Sequence, residues 1–207
     1  MKKFLSMSIL FLLFFVLPIN VGAEKSKWKS NDYDFSVVRN VVIVETETNE
    51  PNINSYISDA FSQNKVEAAL RQAFEKRKIK VFTSADVTSG NGPISNVYLT
   101  ITTKINSLGK WSEPKEAYYE TRTVYKRITV ENSNGKTTTI TVPSEETIYH
   151  PARTVWHAVV NLEFTVSSAN GQKVYMVVDN RDRPEETDTS GMLGRICNDL
   201  ADDISRK

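Results

Sequence analysis

The chain has 207 residues, 40% of them hydrophobic, with 26 Lys and Arg against 25 Asp and Glu and one cysteine, Cys197. That length allows a single domain with a core large enough to fold without staples. Near-neutral charge argues against nucleic acid or an anionic membrane surface as the main partner, and a lone cysteine rules out an intramolecular disulfide.

Residues 1–23 carry Lys2 and Lys3, an apolar run over 4–17, the helix-breaking Pro18 and then Val21-Gly22-Ala23. These are the three regions of a secretory signal peptide, with cleavage expected before Glu24. An apolar run of about 14 residues falls short of the ~20 that span a bilayer, and no cysteine follows it for lipidation. The expectation is an exported protein, periplasmic, cell-surface or secreted, with no stable membrane anchor after cleavage. Taking Lys2 and Lys3 from the 26 basic residues leaves 24 against 25 acidic, a formal −1. Residues 24–31, EKSKWKSN, are charged and aperiodic and read as a flexible lead-in. Residues 32–207 then form a single domain.

Within the domain, residues 37–47 hold the β-branched core of a first strand, apolar throughout as in a strand buried on both faces. The turn formers over 49–54 end it. Ile53, Ile57 and Phe61, spaced by four, suggest a short helical lead. The main helix starts at Asn64, three residues before Glu67, and its apolar stripe is Val66, Leu70, Ala73 and Phe74. Lys76, Arg77 and Lys78 fall in its last turn, where cations complement the helix dipole, and read as a solvated helix end. A brief strand over 79–82, a loop over 88–93, an alternating strand over 97–105 and a loop over 107–114 follow.

Residues 118–131 and 136–149 flank Asn132-Ser133-Asn134-Gly135, a hairpin signal because Asn-Gly tolerates positive φ. With Asn134 and Gly135 as the loop, Val130 would face Thr139 and Tyr119 would face His150. Apolar residues are sparse, so part of the ribbon is expected to protrude beyond the sheet. Residues 154–166 form the central strand, with Trp156, Ala158, Val160, Leu162, Phe164 and Val166 on a dry face and Val155, His157, Val159, Asn161, Glu163 and Thr165 on a mixed one. A second turn at 169–172, a strand over 174–178, a polar loop over 180–190 and a helix striped by Met192 or Leu193, Ile196, Cys197, Leu200 and Ile204 complete the chain. The order predicts an α+β fold: a mainly antiparallel sheet, two helices on one face and a long protruding β-hairpin at 118–149.

This order resembles that of the amino-terminal domain of TolB and the CsgG-type secretion proteins of the bacterial envelope. The stretches that carry it are 33–45, 66–87, 96–105, 160–175 and 193–204, which together cover most of the mature chain. The resemblance implies a non-catalytic role in envelope assembly or export. The sequence departs from the group in having neither a lipidation cysteine nor a propeller domain.

Candidate chemistry is thin. His150 and His157 come with no nucleophile motif, so a catalytic triad is not indicated, and no spacing of His, Cys, Asp or Glu suggests a metal or a cofactor. The stretch from Asp179 to Asp188 lacks the spacing of a calcium loop, and its arginines would pair with its acids. Cys197 reads as a buried thiol. What remains is the hairpin, whose Tyr118, Tyr119, Tyr125 and Tyr149 offer an aromatic surface for an envelope protein partner or for self-association. The alternative is a small-molecule or glycan site on the mixed sheet face around His157, Asn161 and Glu163.

Overall fold

A computed structural model describes residues 24–44 and 46–205. The expected signal peptide lies outside the described residues. The main sheet runs in the order β1-β10-β9-β6-β2-β5, with β1 Glu24–Lys29, β10 Lys173–Pro184, β9 Arg153–Ser168, β6 Leu99–Lys115, β2 Asn40–Ile43 and β5 Lys80–Thr83. Two short strands, β3 Glu47–Thr48 and β4 Tyr56–Ser58, pair with β6 beyond the stretch that β2 covers. The fold is α+β and rich in strands, and its sheet is mixed rather than mainly antiparallel. β2 runs parallel to both β5 and β6, because helix α1, Ser62–Glu75, carries the chain between β2 and β5, and strands joined by a helical crossover run parallel.

β9 is the central strand, between β6 and β10. Its alternation buries Ala158, Val160, Leu162, Phe164 and Val166 on the helix side, while Trp156 at the end of that row is only half-buried. Against this face pack α1, through Val66, Leu70, Ala73 and Phe74, and α3, Ser190–Ser205, through Met192, Ile196, Cys197, Leu200 and Ile204. Burying a side chain of this size contributes roughly 1.5–3 kcal/mol relative to exposure. The stripes of both helices are those their spacing predicts. A short third helix, α2 Ser84–Thr88, follows β5 and is closed by a capping box between Thr83 and Asp86.

Several expectations are corrected. Residues 24–29 are an edge strand, not a lead-in: β1 pairs antiparallel with β10, and Lys27 and Lys29 reach across to Asp203 on α3. The stretch around Ile57 is strand β4, not helix. Asn64 lies inside α1, which begins two residues earlier without a side-chain cap. Arg77 is no solvated helix end; its guanidinium donates to Asp202 at 2.9 Å and to the Asn198 carbonyl at 3.0 Å, tying the end of α1 to α3.

β6 runs on through the expected loop at 107–114, because a bulge between Ile105 and Ser107 shifts the alternation there. β4 lies so close to β6 at this point that a Cβ on Gly109 would sit 2.2 Å from the Ile57 carbonyl oxygen, so only glycine fits. β10 likewise continues through 180–184.

β7, Tyr118–Glu131, and β8, Thr137–His150, pair antiparallel in a separate two-stranded sheet. Their register differs by one residue from the expected one: Tyr118 faces His150, Tyr119 faces Tyr149 and Val130 faces Thr138. The turn explains it. Gly135 N–H donates to the Asn132 carbonyl and Asn132 N–H to the Lys136 carbonyl, with Gly135 at φ 73°. This is a three-residue loop, a type I turn followed by a left-handed glycine, rather than a two-residue type I′ turn. The turn between β9 and β10 repeats it, with Gly171 donating to Ser168 at φ 84°.

Candidate functional site

The register sorts the hairpin's side chains onto two unlike faces. One face carries every branched aliphatic of the ribbon, Val124, Ile128, Val130, Ile140, Val142 and Ile148, with Ile128 directly across from Ile140. The other is lined by threonines, and Thr121 and Thr147 lie 3.3 Å apart, hydroxyl to hydroxyl. The four tyrosines named from the sequence are all exposed but do not form one row. Tyr118 lies on the aliphatic face, stacked on His150 with ring centres 4.5 Å apart. Tyr119 and Tyr149 pair on the threonine face at 5.1 Å. Tyr125 shares that face but stands six residues along from Tyr119, about 20 Å by strand rise. His150 is also bound at 2.9 Å by Glu120, and Arg122 pairs with Glu146 at 3.2 Å. His150 thus braces the base of the ribbon.

On the main sheet, the face away from the helices carries His157, which is only 4% exposed. Its partners come from neighbouring strands. Nδ1 lies 2.8 Å from Asp182 on β10, and the Trp111 ring of β6 stacks over the imidazole at 4.3 Å while its indole N–H donates to the other oxygen of Asp182. The Asp182 contact assigns the proton to Nδ1. Among the described residues Nε2 has no hydrogen-bond partner, and it is sealed from solvent, with Glu113 Oε2 3.5 Å away. The hydrogen bond from Lys115 holds the Glu113 carboxyl below the usual carboxylate range. Among the described residues no hydroxyl or thiol hydrogen-bonds Nε2.

Asn161 and Glu163 share this sheet face but are not brought to His157. Asn161 accepts from Asn106 at 3.3 Å, and Glu163 stands across from Lys104. They lie four and six residues along the same strand, about 13 and 20 Å away. Sequence reasoning missed Trp111, Glu113 and Asp182 as the true neighbours of His157. Only the pairing of β6 and β10 with β9 reveals them, since nothing in the local sequence of these strands marks the positions.

The acidic stretch at 179–183 belongs to β10 and not to a loop. Asp179 is buried, and Arg181 grips both its oxygens at 2.8 and 2.9 Å while also reaching Asp199 at 2.9 Å. The hydrogen bond with Asp179 pushes the guanidinium pKa of Arg181 up. The expectation of internal pairing holds, in a strand. Among the described residues no three His, Cys, Asp or Glu side chains converge as a metal site. Cys197 is fully buried, and burial pushes its thiol pKa up. A groove of about 930 Å³ runs between α1 and the start of α3, lined by Glu67, Ala68, Arg71, Leu193 and Gly194 among others.

No family model matches the chain and no curated protein matches it. Among solved structures it is similar to a single-substitution variant of the PelC dodecamer from Paraburkholderia phytofirmans, with a TM-score of 0.50 and 10% identity over 89% of this chain and 99% of that one. A second PelC dodecamer from the same organism superposes with a TM-score of 0.48 at 10% identity, over 86% of this chain and 94% of that one. A minor lipoprotein from Acinetobacter baumannii gives 0.33 at 12% identity, over 82% and 91%. At such identity the first likeness is one of fold alone, and the other two carry no argument.

Proposed function

We propose that the mature chain is an exported, non-enzymatic protein of the bacterial cell envelope that associates with copies of itself, with the hairpin of β7 and β8 as the protruding arm through which they meet. The observation that carries this reading is the composition and setting of the ribbon. Its two strands make a sheet of their own, and the aliphatics Ile128, Val130 and Ile140 stay exposed on one face. A two-stranded ribbon with exposed apolar side chains gains most by burying them against another surface. Export follows from the charged, apolar and small-residue regions of 1–23, and the envelope role from the likeness in element order to TolB amino-terminal and CsgG-type domains. The PelC variant structure that superposes with a TM-score of 0.50 is a dodecamer, which favours a second copy over a foreign protein, an argument from fold alone.

The test is light scattering coupled to gel filtration on the chain from Glu24, compared with the same chain lacking residues 122–147. Association of the intact chain and a monomeric shortened chain are the expected results. The same oligomeric state in both would overturn the role of the hairpin.

A further inference from the structure

The two long edges of the hairpin are not equivalent. In an antiparallel ladder, residue pairs that exchange backbone hydrogen bonds alternate with pairs whose N–H and C=O groups point outward. Asn132 N–H donates to the Lys136 carbonyl at 2.8 Å, so that pair is a bonded one and the alternation can be counted down the register from it. Val130, Ile128 and Lys126 bond inward to Thr138, Ile140 and Val142. The odd-numbered residues of both strands turn their backbone groups outward, with their side chains on the threonine face. Pro143 provides an independent check. It stands across from Tyr125, an outward pair, the kind of position where a missing N–H leaves the ribbon's own ladder whole.

Counting this way separates the edges. The outer edge of β8 loses a donor at Pro143, midway along, and proline on an exposed edge blocks strand addition. The outer edge of β7 presents Tyr119, Thr121, Thr123, Tyr125, Arg127 and Thr129 with every donor and acceptor in place, and neither proline nor a register shift interrupts it. Among the described residues no strand but β8 pairs with β7.

We propose that the open edge of β7 adds to the same edge of a second copy, the two β7 strands pairing antiparallel about a two-fold axis at Thr123. This rests on the reading of the hairpin as the arm of self-association. Charge favours a second copy as the occupant, and charge with length of overlap selects the register. Centred on Thr123, Glu120 of each copy faces Lys126 of the other, Tyr119 faces Arg127, and Thr121 faces Tyr125. Opposite charges directly across a ladder stabilise it and like charges oppose it. Centring on Val124 sets Arg122 against Lys126. Centring on Arg122, Lys126 or Arg127 sets that cation against itself, and centring on Tyr125 makes no ion pair; centring on Thr121 or Thr129 would set Glu120 against Arg122 or Arg127 against Glu131, but overlaps only about seven or five residues of β7 against about eleven at Thr123. The result is a four-stranded ribbon with β8 on both outer edges, where Pro143 stops further growth. Such a contact is self-complementary and closes at two copies, whereas β7 pairing onto β8 would propagate from copy to copy.

Sedimentation velocity on the chain from Glu24 tests this. Thr123→Pro removes one outward N–H and leaves the inner ladder intact; it should weaken association at least tenfold. Thr141→Pro, on the β8 edge, should leave it unchanged. Lys126→Glu should weaken association, and adding Glu120→Lys should restore it. Thr123→Cys should form a disulfide between copies under mild oxidation, since Cα atoms in a bonded antiparallel pair lie about 5.5 Å apart, within disulfide reach. Wild-type association in Thr123→Pro, no restoration by the charge swap, or no crosslink at position 123 would each overturn the edge pairing. If the chain lacking 122–147 is monomeric while Thr123→Pro associates normally, the hairpin reading stands and the edge pairing falls. If the intact chain is monomeric, or the shortened chain associates as well as the intact one, both fall.

Discussion

Phe61 is a side chain in a conformation its type disfavours. It precedes α1 at φ 58° and ψ 38°, offers no capping group and leaves its ring 80% exposed. A left-handed backbone costs a non-glycine residue roughly 1–2 kcal/mol, and here no buried contact offsets it. Asparagine tolerates that conformation and also suits a helix start. Phe61→Asn is therefore expected to stabilise the fold by about 1 kcal/mol, read as a rise in the denaturant midpoint with unchanged slope. An unchanged or lower midpoint would mean that the ring has packing the exposure does not reveal.

At the scale of elements, what could be read from the sequence is what tertiary pairing leaves alone. The dry face of β9 from Ala158 to Val166 and the stripes of α1 and α3 follow from residue spacing, because each is buried by its own periodic face. β1 left no such trace: a charged edge strand is held by backbone pairing to β10 and by lysines that meet acids on α3, and neither shows in EKSKWK. β10 was cut short because Asp179 and Arg181 neutralise each other on a face expected to be apolar. The hairpin register slipped because Asn-Gly serves two turn types, and a slip of one residue exchanges every cross-strand neighbour. The same gap hid the partners of His157. The ribbon also differs from the main sheet in what it contributes: none of its residues belongs to the core cluster. Removing residues 122–147 should move the melting temperature by no more than a few degrees, about what a loss of 1 kcal/mol produces. A collapse of more than about 10 °C would show that the ribbon supports the fold.

Acids of α3 close one side of the molecule, Asp199 meeting Lys25 at 3.5 Å and Asp203 meeting Lys27 and Tyr175. Asp203 on α3 accepts from the Tyr175 hydroxyl at 2.8 Å and from Lys27 at 3.2 Å. Burial by itself would raise its pKa, but the bond from Tyr175 and the charge of Lys27 outweigh burial and hold it below its ordinary 3.8. A carboxyl with a depressed folded-state value adds stability above its unfolded pKa and loses it as pH falls through the folded one. Asp203→Asn is thus expected to be less stable than wild type near pH 7, with the gap closing below about pH 4 as the wild-type acid takes up its proton. Denaturant midpoints measured across that range decide it; a gap that does not vary with pH would show that the charge is not what matters.

The pairing of β1 with β10 also sets the order in which the protein can be completed. Glu24 lies across from Asn180, so a chain that emerges amino terminus first presents β1 long before its partner exists. For that interval β1 is a bare strand, open to any other exposed strand nearby. Lys25, Lys27 and Lys29, which later meet the acids of α3, are the kind of residue that keeps such a strand from pairing wrongly. The same lysines would act twice: as guards against aggregation while the chain is incomplete, and as the clasp once its last helix arrives.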